Sequence, residues 1–227
     1  MKIIGHRGAA GTQTENTLAS LQAAVAMGVY AIEFDVRKTK DNHLVLSHDK
    51  NLDRTAGVKS KISLLTLKKL QKIPLDSGAT VPTLSEALKI IGSQRVVIEL
   101  KETGCNELLL QTLSQFPRAN ASVASFILNE LPALRKLAPH LPLYALERTN
   151  PFDIIYFAKR HHLNGVGINY WLLNPLTYTL CNRAGLDLFV YTVNRPFHAL
   201  FLNKFYPNIS ICTDFPERFL KRRRKRS

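Results

Sequence analysis

Short, β-rich apolar runs alternate with amphipathic helical stretches along almost the whole chain, and this alternation limits the protein to few architectures. Residues 2–5, 31–36, 95–100, 121–126, 143–146, 165–168, 186–191 and 209–212 read as strands. Helical patterns fall between most of them, at 17–27, 85–91, 106–115, 129–137, 152–160, 175–184 and 196–205. A short extra run at 44–47 adjoins the second strand. Strands that alternate with helices form parallel βαβ units. Eight such units in 227 residues match the lower size range of the (β/α)8 TIM barrel, an α/β fold. The expected organisation is one barrel domain over residues 1–220, with a short insertion after the second strand at about 50–80. A doubly wound open sheet is the alternative. It would carry a glycine-rich first turn for a dinucleotide, but the first turn here is Gly5-His6-Arg7-Gly8 and no GxGxxG follows.

Local signals support these boundaries. Leu18, Leu21 and Val25 share one helical face, and Gly28 can end that helix. Thr83-Leu84-Ser85-Glu86 is a capping box with Pro82 just outside it. Asn182-Arg183-Ala184-Gly185 ends a helix on glycine before the next strand.

The placement of ionisable residues relative to the strands points to chemistry. In Ala31-Ile32-Glu33-Phe34-Asp35-Val36, the two acids share one face and Ile32, Phe34 and Val36 share the other. In a barrel strand the apolar face meets the helices, so Glu33 and Asp35 are expected to point inward. Two interior carboxylates repel unless a cation or a proton lies between them. A wet face of an antiparallel strand would give the same pattern. The third strand disfavours that reading, because Glu99 again falls near a strand's C-terminal end and Lys101 follows on the same face. Active sites of this fold lie at the C-terminal face of the barrel. Glu33, Asp35 and Glu99 converging there make an oxygen-ligand site for one hard divalent cation, Mg²⁺ or Ca²⁺, and zinc suits it less. His6 follows the first strand and His48 follows the extra run, each positioned for acid–base work. A lone histidine is more often a surface or satisfied core residue, but two at strand ends beside three acids form a set. Arg7 and Lys101 can pair with phosphate oxygens. Tyr170 and Trp171 follow the sixth strand, and Trp171 is a candidate pocket residue for substrate. Histidines 43, 140, 161, 162 and 198 have no such setting and read as surface.

These residues also carry a resemblance. Gly5-His6-Arg7-Gly8 with Glu15-Asn16-Thr17 is similar to the HRG…ENT signature of the glycerophosphodiester phosphodiesterases, most closely their small cytoplasmic bacterial members. Ile32 to Val36, Ser47-His48-Asp49, Leu52-Asp53-Arg54-Thr55, Pro82-Thr83-Leu84, Ile98-Glu99-Leu100-Lys101, Tyr191-Thr192-Val193-Asn194 and Cys212-Thr213-Asp214 match in order. The resemblance implies that Glu33, Asp35 and Glu99 hold the metal and that His6 and His48 are the acid–base pair. It implies that Arg7 and Lys101 contact the phosphate and that Glu15 and Asn16 support the first turn. The implied reaction is hydrolysis of a small-molecule glycerophosphodiester, such as glycerophosphocholine or glycerophosphoethanolamine, to sn-glycerol 3-phosphate and an alcohol. The nucleophile is either water or the neighbouring glycerol hydroxyl. The chain departs from the family pattern at Thr14, usually proline, and at Asn42, usually glycine. The stretch at 75–82 is clipped relative to the family, which bears on selection of substrate size.

Composition sets the partners. The net charge is +14. Lys221, Arg222, Arg223, Arg224, Lys225 and Arg226 supply six of these charges in a tail at 221–227, leaving an excess of eight elsewhere. Such a run repels itself and is expected to be a disordered end, either merely solvated or in weak peripheral contact with anionic membranes; nucleic acid is not expected as its function. Cys105, Cys181 and Cys212 follow no disulfide or zinc spacing, and no signal peptide or membrane span is evident, so a cytoplasmic location is expected. Two rival functions remain open. One is a lysophospholipase D-type diesterase acting on lipid-tailed diesters. The other is a catalytically dead basic barrel that binds membranes or nucleic acid.

Overall fold

The computed structural model describes residues 1–220 of the chain; the basic run from Lys221 to Arg226 lies outside the described residues. Eleven strands are present among them: β1 (Lys2–Gly5), β2 (Ala31–Lys38), β3 (Leu44–Leu46), β4 (Asn51–Leu52), β5 (Val58–Lys61), β6 (Arg95–Leu100), β7 (Asn120–Ser125), β8 (Leu143–Glu147), β9 (Gly165–Asn169), β10 (Asp187–Tyr191) and β11 (Ser210–Thr213). The helices are α1 (Leu18–Met27), α2 (Asp53–Ala56), α3 (Leu67–Leu70), α4 (Leu84–Ile91), α5 (Asn106–Ser114), α6 (Glu130–Leu137), α7 (Pro151–Arg160), α8 (Pro175–Arg183) and α9 (Pro196–Phe205). Parallel pairing runs β1-β11-β10-β9-β8-β7-β6-β2, and β2 pairs back with β1, which closes an eight-stranded parallel barrel. β3 is antiparallel to β2, with Val36 opposite Leu46, and extends the sheet past the rim.

The period-2 pattern of the strands separates two apolar regions. Ile32, Phe34, Val36, Ile98 and Leu100 face outward and pack with the helices in the main core. Ile4, Ala31, Val97, Ala124, Leu146, Phe189 and Cys212 fill the barrel's interior. Glu33, Asp35 and Glu99 lie above this interior plug because they follow Ala31 and Val97 on the inward face.

Helix ends follow the expected chemistry. Thr83 and Glu86 form a reciprocal capping box at α4, which contributes on the order of 1 kcal/mol. Gly28 is left-handed at the end of α1 (φ 71°). Proline occupies the first turn of α7, α8 and α9, where its missing N–H costs nothing. In α1 the fully buried residues are Ser20, Leu21 and Ala24. The stripe is therefore rotated from the Leu18–Leu21–Val25 face, because the Ser20 hydroxyl is turned inward onto the β1–α1 loop.

Between β3 and α4 the chain forms the β4–β5 hairpin, α2 and α3. Leu52, Ile62, Leu70, Leu75 and Val81 of this insertion form a small core of their own with Val45 of β3. Among the described residues, no helix is long and apolar enough to cross a membrane.

Candidate active site

The loop after β1 starts the site. Gly8 has φ 86°, and a Cβ there would lie 2.5 Å from backbone and side-chain atoms of Ser20. Only glycine lets the loop lie this close to α1. Arg7 is also left-handed (φ 50°), which costs an L-residue about 1 kcal/mol. Its backbone groups are well used in return. The N–H donates to Glu33 Oε2 at 2.9 Å, and the carbonyl accepts from Asn16 N–H at 3.1 Å and the Ser20 hydroxyl at 2.8 Å.

Asn16 takes the left-handed conformation (φ 56°) that asparagine tolerates. Its side chain clamps Asp35 twice: Nδ2 donates to Oδ2 at 2.9 Å, and Oδ1 accepts the Asp35 N–H at 3.1 Å. Glu15 accepts from Arg7 Nη1 at 2.9 Å. Arg54, on α2 of the insertion, donates to both Glu15 oxygens and to Asp49 Oδ2 at 2.7 Å. One guanidinium therefore ties the insertion to the first turn and to the loop that carries His48.

Glu33, Asp35 and Glu99 are buried, and one oxygen from each lies within 4.8 Å of the others. Lys101 Nζ is 2.5 Å from Glu99 Oε1 and 3.3 Å from Asp35 Oδ1, while Arg7 Nε is 3.2 Å from Asp35 Oδ2. Two cations thus face three carboxylates. The imbalance appears in their proton affinities. Burial, reinforced by the charge on Asp35, pushes Glu33 up to about 8. Glu99 is raised for the same two reasons. Burial also acts on Asp35, but Lys101 and Arg7 outweigh it and hold that carboxyl below its usual range. Glu33 Oε1 is buried without a hydrogen-bond partner, and Asp35 Oδ1 has none beyond the Lys101 ion pair. An orphaned carboxylate oxygen on a convergent, all-oxygen donor set fits a hard divalent cation.

The two histidines are each backed by an aspartate. His6 Nδ1 lies 2.6 Å from Asp214 Oδ1, and Nε2 lies 3.9 Å from Glu33 Oε2. Asp214 is itself held by Asn194, whose Nδ2 donates to Oδ2 at 2.7 Å. Burial alone lowers the proton affinity of His6, but the bond to Asp214 and the charge of Glu33 outweigh it and raise it. His48 Nδ1 lies 2.8 Å from Asp49 Oδ1. Its carbonyl accepts two hydrogen bonds from the buried Arg37, at 3.1 and 2.7 Å. Burial lowers the proton affinity of His48, and Arg7 and Lys101 add to that against the opposing charge of Asp35.

A cleft of about 230 Å³ opens over these groups, lined on one side by His6, Arg7, Glu33, His48, Glu99 and Lys101. Phe126, Leu146, Phe189 and Tyr191 form an apolar wall opposite. Arg148 also lines the cleft, with its guanidinium 4.3 Å from the Phe126 ring centre. Of the sequence-predicted set, Asp35, Glu15 and Asn16 lie behind the lining. Trp171 does not line this cleft. It lies in a short 3-10 turn after β9, is 73% exposed, and stacks with Tyr170 in a separate apolar groove. It projects outward because that turn follows β9 at the rim, not on its inward face.

Sequence reasoning gave no role to Asp214, Asn194, Asp49, Arg54, Arg37 or Arg148. The first two directly follow or closely follow the C-terminal ends of β11 and β10, the same signal that marked His6 and Glu99.

The model of the glycerophosphoryl diester phosphodiesterase family matches residues 6–218. The Bacillus subtilis protein YhdW is 35% identical over 97% of each chain. A glycerophosphodiester phosphodiesterase of Caldanaerobacter subterraneus is 30% identical, covering 85% of this chain and 86% of that one. An Oleispira antarctica phosphodiesterase, solved with its product sn-glycerol-3-phosphate, superposes with a TM-score of 0.89 at 25% identity, covering 96% of this chain and 94% of that one.

Proposed function

The chain belongs to the glycerophosphoryl diester phosphodiesterase family, and on that premise we propose that it hydrolyses glycerophosphodiesters to sn-glycerol 3-phosphate and an alcohol with the help of one divalent cation. Glycerophosphocholine and glycerophosphoethanolamine are the proposed substrates. The observation that carries this reading is the meeting of three buried carboxylates, one of Glu33's oxygens being without a partner, and two aspartate-backed histidines at one end of the barrel.

Glu33, Asp35 and Glu99 would hold the cation, Mg²⁺ or Ca²⁺. Bound there, it would neutralise phosphate charge and polarise phosphorus toward attack. Arg7 and Lys101 line the cleft beside it and would contact the phosphate oxygens. Arg148 offers a third positive group from the opposite wall.

His6 lies between two carboxyl groups, Asp214 and Glu33, which favour its protonated form, and it suits the general acid that protonates the departing alcohol. Asp49 behind His48 shares its charge with Arg54, and His48 suits the base that accepts the nucleophile's proton. Glu15 and Asn16 act behind them: Asn16 fixes the Asp35 carboxylate, and Glu15 fixes the Arg7 guanidinium. The barrel with its insertion is proposed to act as one domain.

The test is glycerol 3-phosphate release from a panel of diesters, with and without chelator. Release that needs the cation supports the reading. Release undiminished in excess chelator overturns the metal assignment, and no release from any diester overturns the reaction.

A further inference from the structure

The apolar groove that receives Trp171 belongs to a larger exposed surface with no role in the proposed reaction. On α9, Phe197, Leu200, Phe201 and Phe205 are all exposed, at 75%, 63%, 50% and 54%. Their spacing of three, four and eight residues places them on one helical face, and Lys204 shares it with Nζ 5.7 Å from the Phe205 ring centre. Ala199 and Leu202 are the buried residues of the same helix, so this apolar face is additional to the one that packs on the barrel. Trp171, Phe197 and Phe201 border a groove of about 300 Å³. A contiguous exposed stripe of four large apolar side chains on a strongly basic protein marks an interaction surface.

The occupant is indicated by charge and position. Arg218 Nη1 donates to the Asn194 carbonyl at 3.3 Å, two residues before α9 begins at Pro196. Leu220, two residues further, is the last described residue, and six consecutive cations follow it in sequence. The described chain thus touches the segment just before the aromatic helix through Arg218, and its most basic run comes next in sequence after Leu220. Aromatic and aliphatic side chains next to clustered Lys and Arg are the two signals that together hold a protein at an anionic bilayer surface. The 3-10 turn with Trp171 and the start of α9 both follow the C-terminal ends of barrel strands, which is also the end that carries the cleft.

We propose that the α9 face, with Trp171, docks on anionic phospholipid surfaces, to which the cations that follow Leu220 in sequence add attraction. This goes beyond the reaction assigned above and does not depend on which diester is cleaved. It assigns Trp171, which does not line the cleft, to lipid contact.

Trp171 is the sole tryptophan of the chain, so its emission reports directly on this surface. The full chain is titrated with vesicles of phosphatidylcholine containing a minority of phosphatidylserine, with brominated acyl chains in a parallel series. Expected are a blue shift of Trp171 emission, quenching by the brominated lipid, and weakening by salt. Pure phosphatidylcholine vesicles bind less. The double variant Phe197→Ser, Leu200→Ser lowers vesicle affinity at least about tenfold, because two apolar side chains no longer enter the interface. Its turnover of a soluble diester is unchanged. Deleting residues 221–227 lowers affinity but leaves quenching in the lipid-bound fraction. The proposal is overturned if vesicles leave the emission unmoved, or if the double variant binds as tightly as the native chain. It is also overturned if emission is already blue without lipid and shifts with protein concentration, which assigns the face to a second copy of the chain.

Discussion

Glu33→Gln isolates the electrostatic stress on which the metal assignment rests. Glu33 is buried, one of its oxygens has no partner, and Asp35 and Glu99 oxygens lie within 4.8 Å. At that separation two unit charges repel by about 3 kcal/mol at an effective dielectric constant of about 20. Proton linkage gives the same order. The folded carboxyl is raised from 4.5 to about 8, so between those values the folded state binds more protons than the unfolded state. The contribution of Glu33 to metal-free stability therefore falls as pH rises through this window, by about 1.4 kcal/mol per pH unit, accumulating to about 3 kcal/mol at pH 7. Glutamine keeps the shape and can still accept the Arg7 N–H, but carries no charge. In excess chelator at pH 7 the variant should be more stable by about 3 kcal/mol, or roughly 6–12 °C in Tm for a chain of this size. At pH 5 the gain should shrink to about 1 kcal/mol or less. With saturating Mg²⁺ or Ca²⁺ the order should reverse, because the native protein gains binding free energy that the variant cannot. The assay is thermal and denaturant unfolding across pH, with and without cation, alongside calorimetric titration of the metal. A variant no more stable than the native chain in chelator at pH 7, with the same pH slope, would refute the claim that Glu33 is strained by charge.

Three further outcomes are expected. Chelation should abolish diester turnover, and adding back Mg²⁺ or Ca²⁺ should restore it, as followed by glycerol 3-phosphate release. His6→Ala and His48→Ala should each lower kcat by about two to four orders of magnitude while retaining metal binding; an activated diester with a good leaving group should largely rescue the first and not the second. Near-normal turnover in either variant removes that histidine from the mechanism. Asp214→Asn removes the carboxylate that raises the proton affinity of His6. An acid catalyst fails once it deprotonates, so the alkaline limb of the pH–rate profile should move to lower pH, and an unmoved limb would separate Asp214 from the acid.

The barrel was legible in the sequence because its signals are local. A strand's side chains alternate faces, so Glu33 and Asp35 against Ile32 and Phe34 already state which side meets the helices. Capping residues such as Thr83 and Glu86 act within a single turn. The three acids and two histidines were legible for similar reasons: Glu33 and Asp35 break the apolar alternation of β2, Glu99 lies near the end of β6, and His6 and His48 follow strand-like runs. Only the tertiary structure decided what each group touches. Asp214 backs His6 across 208 positions of sequence. Arg54 joins an insertion to Glu15 and Asp49, and no periodicity announces a partner contributed by another loop. The opposite proton affinities of His6 and His48 come from burial and from neighbours on different strands. Trp171 shows the limit most plainly. Its place after a strand suggested the pocket, but the path of the three-residue turn after β9 determines where its ring lies. A residue's neighbours along the chain determine its conformational choices; its neighbours in space determine its charge state and its exposure.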